Sequence, residues 1–122
     1  MVAALDLKSI RNIDTVLHER SRLSIVFALC SRQELSFAEL KALLGMTDGN
    51  LSIHLRTLEE SGYLDTTRTR TAGKSRKLCR LSGHGKKAFE DYLEMLGQLV
   101  RAVRHGSYQG AAGSEGRPPT RD

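Results

Sequence analysis

The 122-residue chain contains no tryptophan and only three phenylalanines and three tyrosines, so a core built around large aromatic rings is excluded and aliphatic side chains must fill it. It has two cysteines, Cys30 and Cys79, which form neither a Cys-x-x-Cys pair nor a dense framework. A disulfide scaffold is therefore excluded, and reduced thiols are the simpler reading. Both cysteines read as small core residues, with a redox switch as the alternative. The four histidines, His18, His54, His84 and His105, are scattered, with no Cys-x-Cys or His-x-x-x-His spacing, so neither a metal nor another cofactor is expected. Long apolar runs are missing too. The longest charge-free one, Leu23–Ser31, has nine residues, against the roughly 20 needed to cross a bilayer. Only Val2 to Leu5 precede Asp6 and Lys8, which falls short of the apolar segment of a secretory signal. A cytoplasmic protein without a membrane partner is expected. No catalytic dyad, glycine-rich phosphate loop or paired carboxylates can be found, so no catalytic residue is named and enzyme activity is not expected.

What is present is a localised excess of positive charge. Residues 63 to 87 hold Arg68, Arg70, Lys74, Arg76, Lys77, Arg80, Lys86 and Lys87 against Asp65 alone, a local excess of seven in a chain whose net charge is +5. An imbalance confined to one stretch points to a polyanionic partner, nucleic acid or acidic membrane, more strongly than a uniformly basic surface does. The alternative is a solvated hairpin with no partner. At 39% hydrophobic and 27% charged, the remainder is that of one globular domain.

Periodicity gives the order of elements. Within residues 14 to 31, Leu23, Val26, Phe27 and Cys30 recur at i, i+3, i+4 and i+7, which predicts a helix beginning near His18 with this stripe in the core. Ser36-Phe37-Ala38-Glu39 is a capping box that opens a short helix with Phe37, Leu40 and Leu44 inward, and Gly45 falls where a left-handed residue closes helices. After Gly45 to Thr47, with Thr47 as N-cap, a third helix carries Leu51, Leu55 and Leu58 inward and stops at Gly62. Two helices joined by so short a glycine-containing turn form a helix-turn-helix. Residues 63–69 and 76–81 then read as the strands of a basic hairpin, with Ala72-Gly73-Lys74-Ser75 as its turn. A long helix is predicted from Gly83 or His84 to about Arg104, spanning about 30 Å. Residues 105–122 have no period and contain both prolines, and they read as a disordered tail.

The string Leu44-Gly45-Met46-Thr47-Asp48-Gly49-Asn50-Leu51-Ser52, the segment His54-Leu55-Arg56-Thr57-Leu58-Glu59-Glu60-Ser61-Gly62-Tyr63-Leu64 and the wing ending in Arg80-Leu81-Ser82 resemble the winged helix-turn-helix of MarR/ArsR-like transcriptional regulators. The resemblance covers about residues 14 to 100. It implies a mainly α fold with a small β-hairpin wing and a long C-terminal dimerisation helix, and a dimeric repressor or activator that binds double-stranded DNA sequence-specifically. The cysteine pair of the metal-sensing members is missing here. The expected organisation is an N-terminal segment over 1–13 that could be helical and join the dimer interface, the DNA-binding domain over 14–82, the dimerisation helix over 83–104, and the tail.

With the leucines inward, the 100° step per residue puts Gly49, Ile53, Arg56 and Glu60 on the opposite side of the recognition helix, with Asn50 and Thr57 beside them. Arg56 is the candidate for a bidentate guanine contact and Ile53 for a thymine methyl. Thr47 and Asn50 lie at the helix N-terminus, where phosphate is favoured, and Gly49 permits close approach to the backbone. Ser52 and His54 flank the face and are expected to reach phosphate. A solvated helix surface is the alternative. Asp48 reads as a helix N-terminal charge or a cytosine contact. On the wing, Arg70, Lys74 and Arg76, then Arg68 and Lys77, are expected on backbone or the minor groove, the alternative being suppression of strand-edge pairing. Phe89, Leu93, Leu96, Val100 and Val103 form a stripe expected to pack against a second chain, the alternative being a helix folded back on its own core. A pocket for any small-molecule effector is expected between subunits, and no effector is named by the sequence. The competing function is a winged-helix protein-interaction module whose basic hairpin docks an acidic protein partner.

Overall fold

The computed structural model describes residues 5–106 and 108–109, and these belong to two units. The larger, Asp14–Glu90, holds a three-helix core with a wing. Its elements are α2 (Arg20–Arg32), β2 (Leu35–Ser36), α3 (Phe37–Leu44), α4 (Asp48–Glu60), β3 (Leu64–Thr71), β4 (Lys74–Leu81) and the beginning of α5 (Gly83–His105). The other unit contains β1 (Leu5–Asp6) and α1 (Lys8–Arg11), the remainder of α5, and β5 (Tyr108–Gln109), which pairs in parallel with β1. The expected N-terminal helix is thus a single turn, and Tyr108–Gln109 is a strand inside the segment expected to lack structure. Residues 1–4, 107 and 110–122 of the two terminal segments lie outside the described residues.

The helix starts and stops follow their local chemistry. Ser36 Oγ accepts from Glu39 N at 3.1 Å while Glu39 Oε1 accepts from Ser36 N at 2.8 Å, the reciprocal capping box that opens α3. Gly45 ends that helix in the left-handed region at φ 65°, and Thr47 Oγ1 accepts from Asn50 N at 3.2 Å to open α4. Leu51, Leu55 and Leu58 are completely buried, so the inward face of α4 is the expected one. They meet Leu17, Ile25, Val26, Leu29, Leu40 and Cys79 in an aliphatic core. Phe37 and Leu44, also expected inward, are only partly buried.

The face assigned to α2 needs correction. Ile25, Val26, Ala28 and Leu29 are buried, whereas Phe27 is 62% exposed and Cys30 is exposed. Two apolar stripes run along this helix, sharing Val26, and both satisfy helical spacing. Packing of α2 against α3, α4 and β4 chooses the one centred on Ile25 and Leu29. Its start is also later than expected, because Glu19 is the N-cap and accepts from Arg22 N at 2.8 Å. Cys79 is buried as expected, and desolvation pushes its thiol up to about 11.

β2 is a strand that periodicity did not reveal. It pairs antiparallel with β4, Leu35 opposite Cys79 and Ser36 opposite Leu78, giving the sheet order β2-β4-β3. The hairpin is longer than expected. Pairing runs from Leu64–Leu81 to Thr71–Lys74 and leaves a two-residue loop, Ala72 (φ 54°) and Gly73 (φ 77°). Positive φ at both positions matches the twist of the flanking strands, and only the second carries the residue best suited to it.

Candidate nucleic-acid interface

The recognition-helix candidates fall into two groups. Gly49, Asn50, Ser52, Ile53 and Arg56 of α4 are exposed, as is the cap residue Thr47, and Ile53 exposes 61% of its surface in the middle of the polar face. Arg56 forms no ion pair or hydrogen bond with any described residue, so its guanidinium fork is free for an incoming acceptor. His54 and Thr57 are turned partly inward. Thr57 Oγ1 donates to the Ile53 carbonyl at 3.2 Å, and His54 Nδ1 lies 3.2 Å from Arg22 Nη1 and 3.7 Å from Glu19 Oε1. His54 therefore joins α4 to the start of α2 instead of standing open at the flank.

Asp48 pairs with Lys41 at 2.9 Å across the helix-turn-helix, and its carboxylate sits in the first turn of α4. That placement fits the helix N-terminal role. Sequence reasoning missed Glu19 and Arg22, which sit more than thirty residues before His54. Local periodicity carries no signal for such a contact. Burial raises the Glu19 carboxyl, but hydrogen bonds from the Arg22 and Ser21 N–H groups and the charges of His54 and Arg22 outweigh it and leave its pKa lowered.

Alternation along the wing places Arg68, Arg70 and Lys77 on the same side of the hairpin as the buried Leu64, Cys79 and Leu81, whereas Lys74 and Arg76 alternate with them. That side passes from core at the base to cations toward the tip. Arg68, Arg70, Lys74 and Arg76 are exposed and Lys77 is partly buried. Arg70 and Lys74, nearest the loop, have no ion-pair partner among the described residues, whereas Arg76 lies 3.9 Å from Glu39 and Lys77 3.6 Å from Glu59. Glu59 is held in turn by Thr66 Oγ1, which donates to it at 2.7 Å. The Ser36 backbone and side-chain hydrogen bonds, more than the Arg76 and Arg32 charges, lower the Glu39 carboxyl. The wing meets α4 closely enough that Ser52 shares one cleft with Arg68, Arg76 and Lys77.

The helix-turn-helix, the three-stranded sheet and the long last helix in this order are matched by a family model described as a winged helix DNA-binding domain, over residues 21–100. The chain belongs to that family. This winged-helix chain is 32% identical over 82 residues to an uncharacterized protein of Methanocaldococcus jannaschii, an alignment covering 67% of the chain and 89% of that relative. Among solved structures it is similar to the transcriptional regulator homologue protein from Pyrococcus horikoshii OT3, with 27% identity, a TM-score of 0.73, and coverage of 80% of this chain and 95% of that one. It is also similar to the transcriptional repressor BigR from Xylella fastidiosa, with 26% identity, a TM-score of 0.55, and coverage of 75% and 88%. The resemblance to MarR/ArsR-like regulators read from the motifs agrees with these neighbours. Fold and family are those of DNA-binding transcriptional regulators rather than of enzymes.

Of the candidate dimer residues on α5, Leu93, Val100 and Val103 are exposed and Leu96 is partly buried. Phe89 is 3% exposed, so in the winged-helix monomer it is already a core side chain and offers no surface to a second copy. Among the described residues no group of three His, Cys, Asp or Glu is placed to hold a metal ion, and no helix is long and apolar enough to cross a membrane.

Proposed function

We propose that this protein is a transcription regulator that binds double-stranded DNA sequence-specifically as a homodimer, with one recognition helix of each subunit in successive major grooves. The observation that carries this reading is the free, exposed face of α4, Gly49, Asn50, Ser52, Ile53 and Arg56, adjoining a wing rich in cations. Arg56 reads a base edge, Ile53 contacts a thymine methyl, and Thr47 and Asn50 bring the helix N-terminus to a phosphate. Arg70 and Lys74 hold the backbone or minor groove beyond, with Arg68, Arg76 and Lys77 adding charge. His54 acts by positioning α4 against α2.

Leu93, Val100 and Val103, an exposed apolar line at helical spacing, support pairing of α5 with a second copy. Two-fold symmetry then requires a pseudo-palindromic site with half-sites about 34 Å apart. A cytoplasmic location suits such a regulator. BigR is a repressor by name, and occlusion of a promoter is the corresponding action here.

Selection of bound fragments from random duplex DNA tests this reading. Enrichment of one pseudo-palindromic sequence with half-sites about one helical turn apart is expected. Recovery of unenriched DNA, or capture of acidic proteins by the wing with no duplex preference, contradicts it.

A further inference from the structure

The wing, the start of α3 and the outer side of α4 enclose a cleft of about 440 Å³, within the roughly 300–1,000 Å³ of small-ligand sites. It lies within one subunit, not between two. Its polar lining comprises three cations, Arg68, Arg76 and Lys77, and three serines, Ser36, Ser52 and Ser75, with no carboxylate; the Ser36 oxygen already accepts from Glu39 N at 3.1 Å. The ion-pair partners of Arg76 and Lys77, Glu39 and Glu59, stand 3.9 Å and 3.6 Å away, beyond hydrogen-bond contact, and neither lines the cleft. These acids offset charge but leave the N–H donors of both cations unspent. Arg68 has no carboxylate partner among the described residues. Its Nη1 donates to Ser75 Oγ at 3.3 Å, so the serine oxygen is the acceptor and its own hydrogen remains available.

The cleft is accordingly rich in donors and poor in acceptors. Its occupant must be anionic and must present acceptor oxygens in several directions, because the donors come from α4, β3 and β4. A tetrahedral phosphoryl group meets both demands, and guanidinium forks suit it better than a point charge does. Phe37 and Ala38 add an apolar wall for a small organic body, and the first turn of α3 contributes the positive end of its dipole.

We propose that this cleft is a phosphoryl-binding site, filled by a phosphate of a nucleic-acid backbone or by a free phosphate monoester. The backbone source rests on the DNA-binding reading above; the free ester does not.

The test follows amide signals of the full-length protein by NMR while inorganic phosphate replaces chloride at constant ionic strength. Saturable shifts at Ala38, Ser52 and Ser75 are expected. In the double variant Arg68→Gln, Arg76→Gln the half-saturating concentration should rise about tenfold, with the remaining spectrum unchanged as evidence of folding. Unsaturable or absent shifts, or shifts that the double substitution leaves intact, overturn the proposal. A second arm measures duplex affinity of the same variant. A parallel loss identifies the backbone as the source, and an unchanged duplex affinity identifies the free ester. Phosphate shifts in a protein that binds no duplex would sink the DNA reading and leave the cleft standing. Duplex binding without phosphate shifts would sink the cleft alone.

Discussion

Arg22 Nη1 lies 3.2 Å from Nδ1 of His54, while Nε of the same guanidinium donates to the Val16 carbonyl at 2.7 Å. One side chain thus joins the loop before α2 to the helix that carries the exposed polar face. Arginine has no acceptor, so the guanidinium can only donate in this contact. Replacing Arg22 by Met keeps much of the apolar stem and removes these two bonds together with a longer one from Nη2 to the Thr15 carbonyl at 3.5 Å. Urea denaturation should show a loss of about 1.5–3 kcal/mol, and duplex affinity should fall although residue 22 lies outside the exposed face of α4. Unchanged stability would mean that the contact contributes nothing.

Tyr63 donates its hydroxyl hydrogen to Asp14 Oδ2, and Asp14 Oδ1 accepts from Val16 N and Leu17 N. Desolvation, followed by the hydrogen bond and charge of Asp14, pushes the Tyr63 hydroxyl from 10.0 up to about 12. A folded-state value above the unfolded one means the stabilisation is complete below pH 10 and disappears as pH rises through about 12. Tyr63→Phe should cost about 1–3 kcal/mol at neutral pH and remove that alkaline loss. Denaturation midpoints measured across the range check both; a variant that still loses the same stability above pH 10 would place its origin elsewhere.

Two glycines should respond in opposite ways to alanine. A Cβ at Gly85 would stand 2.2 Å from the Tyr63 carbonyl oxygen, a backbone atom that cannot swing aside, whereas one at Gly49 would meet nothing within 4 Å. Gly85→Ala should therefore destabilise the fold by about 3 kcal/mol or more. Gly49→Ala, in the first turn of α4, should stabilise it by up to about 1 kcal/mol. If close approach of DNA to the backbone uses the missing side chain, duplex affinity falls in the Gly49 variant while its thermal midpoint rises. A midpoint that drops at Gly49 contradicts the open geometry there.

The helix-turn-helix was readable because its signals are local. Ser36, Glu39, Gly45 and Thr47 each act within a few residues of themselves, and Leu51, Leu55 and Leu58 admit a single inward face. The buried face of α2 is not legible locally, because Leu23, Phe27 and Cys30 satisfy the same spacing as Ile25 and Leu29 and only distant partners break the tie. β2 is too short to show a period, and its pairing partner lies more than forty residues away. The hairpin loop is tighter than the sequence suggests because Ala72 has no local preference for positive φ; strand pairing through Thr71–Lys74 imposes it. The exposure of Gly49, Asn50, Ser52, Ile53 and Arg56 follows from the leucine spacing of α4 alone, whereas the inward turn of His54 and Thr57 and the burial of Phe89 depend on tertiary packing.

The most direct measurement compares duplex affinities of Arg56→Ala and Lys74→Ala on the selected site, on its single-base-pair variants and on random DNA, across a range of salt concentrations. Arg56→Ala should lose about 1–3 kcal/mol of discrimination at one base pair and little on random DNA. Lys74→Ala should weaken every duplex alike and reduce the salt slope by about one per subunit. Equal, sequence-independent losses from both substitutions, or no loss from either, would contradict base reading by the exposed face of α4.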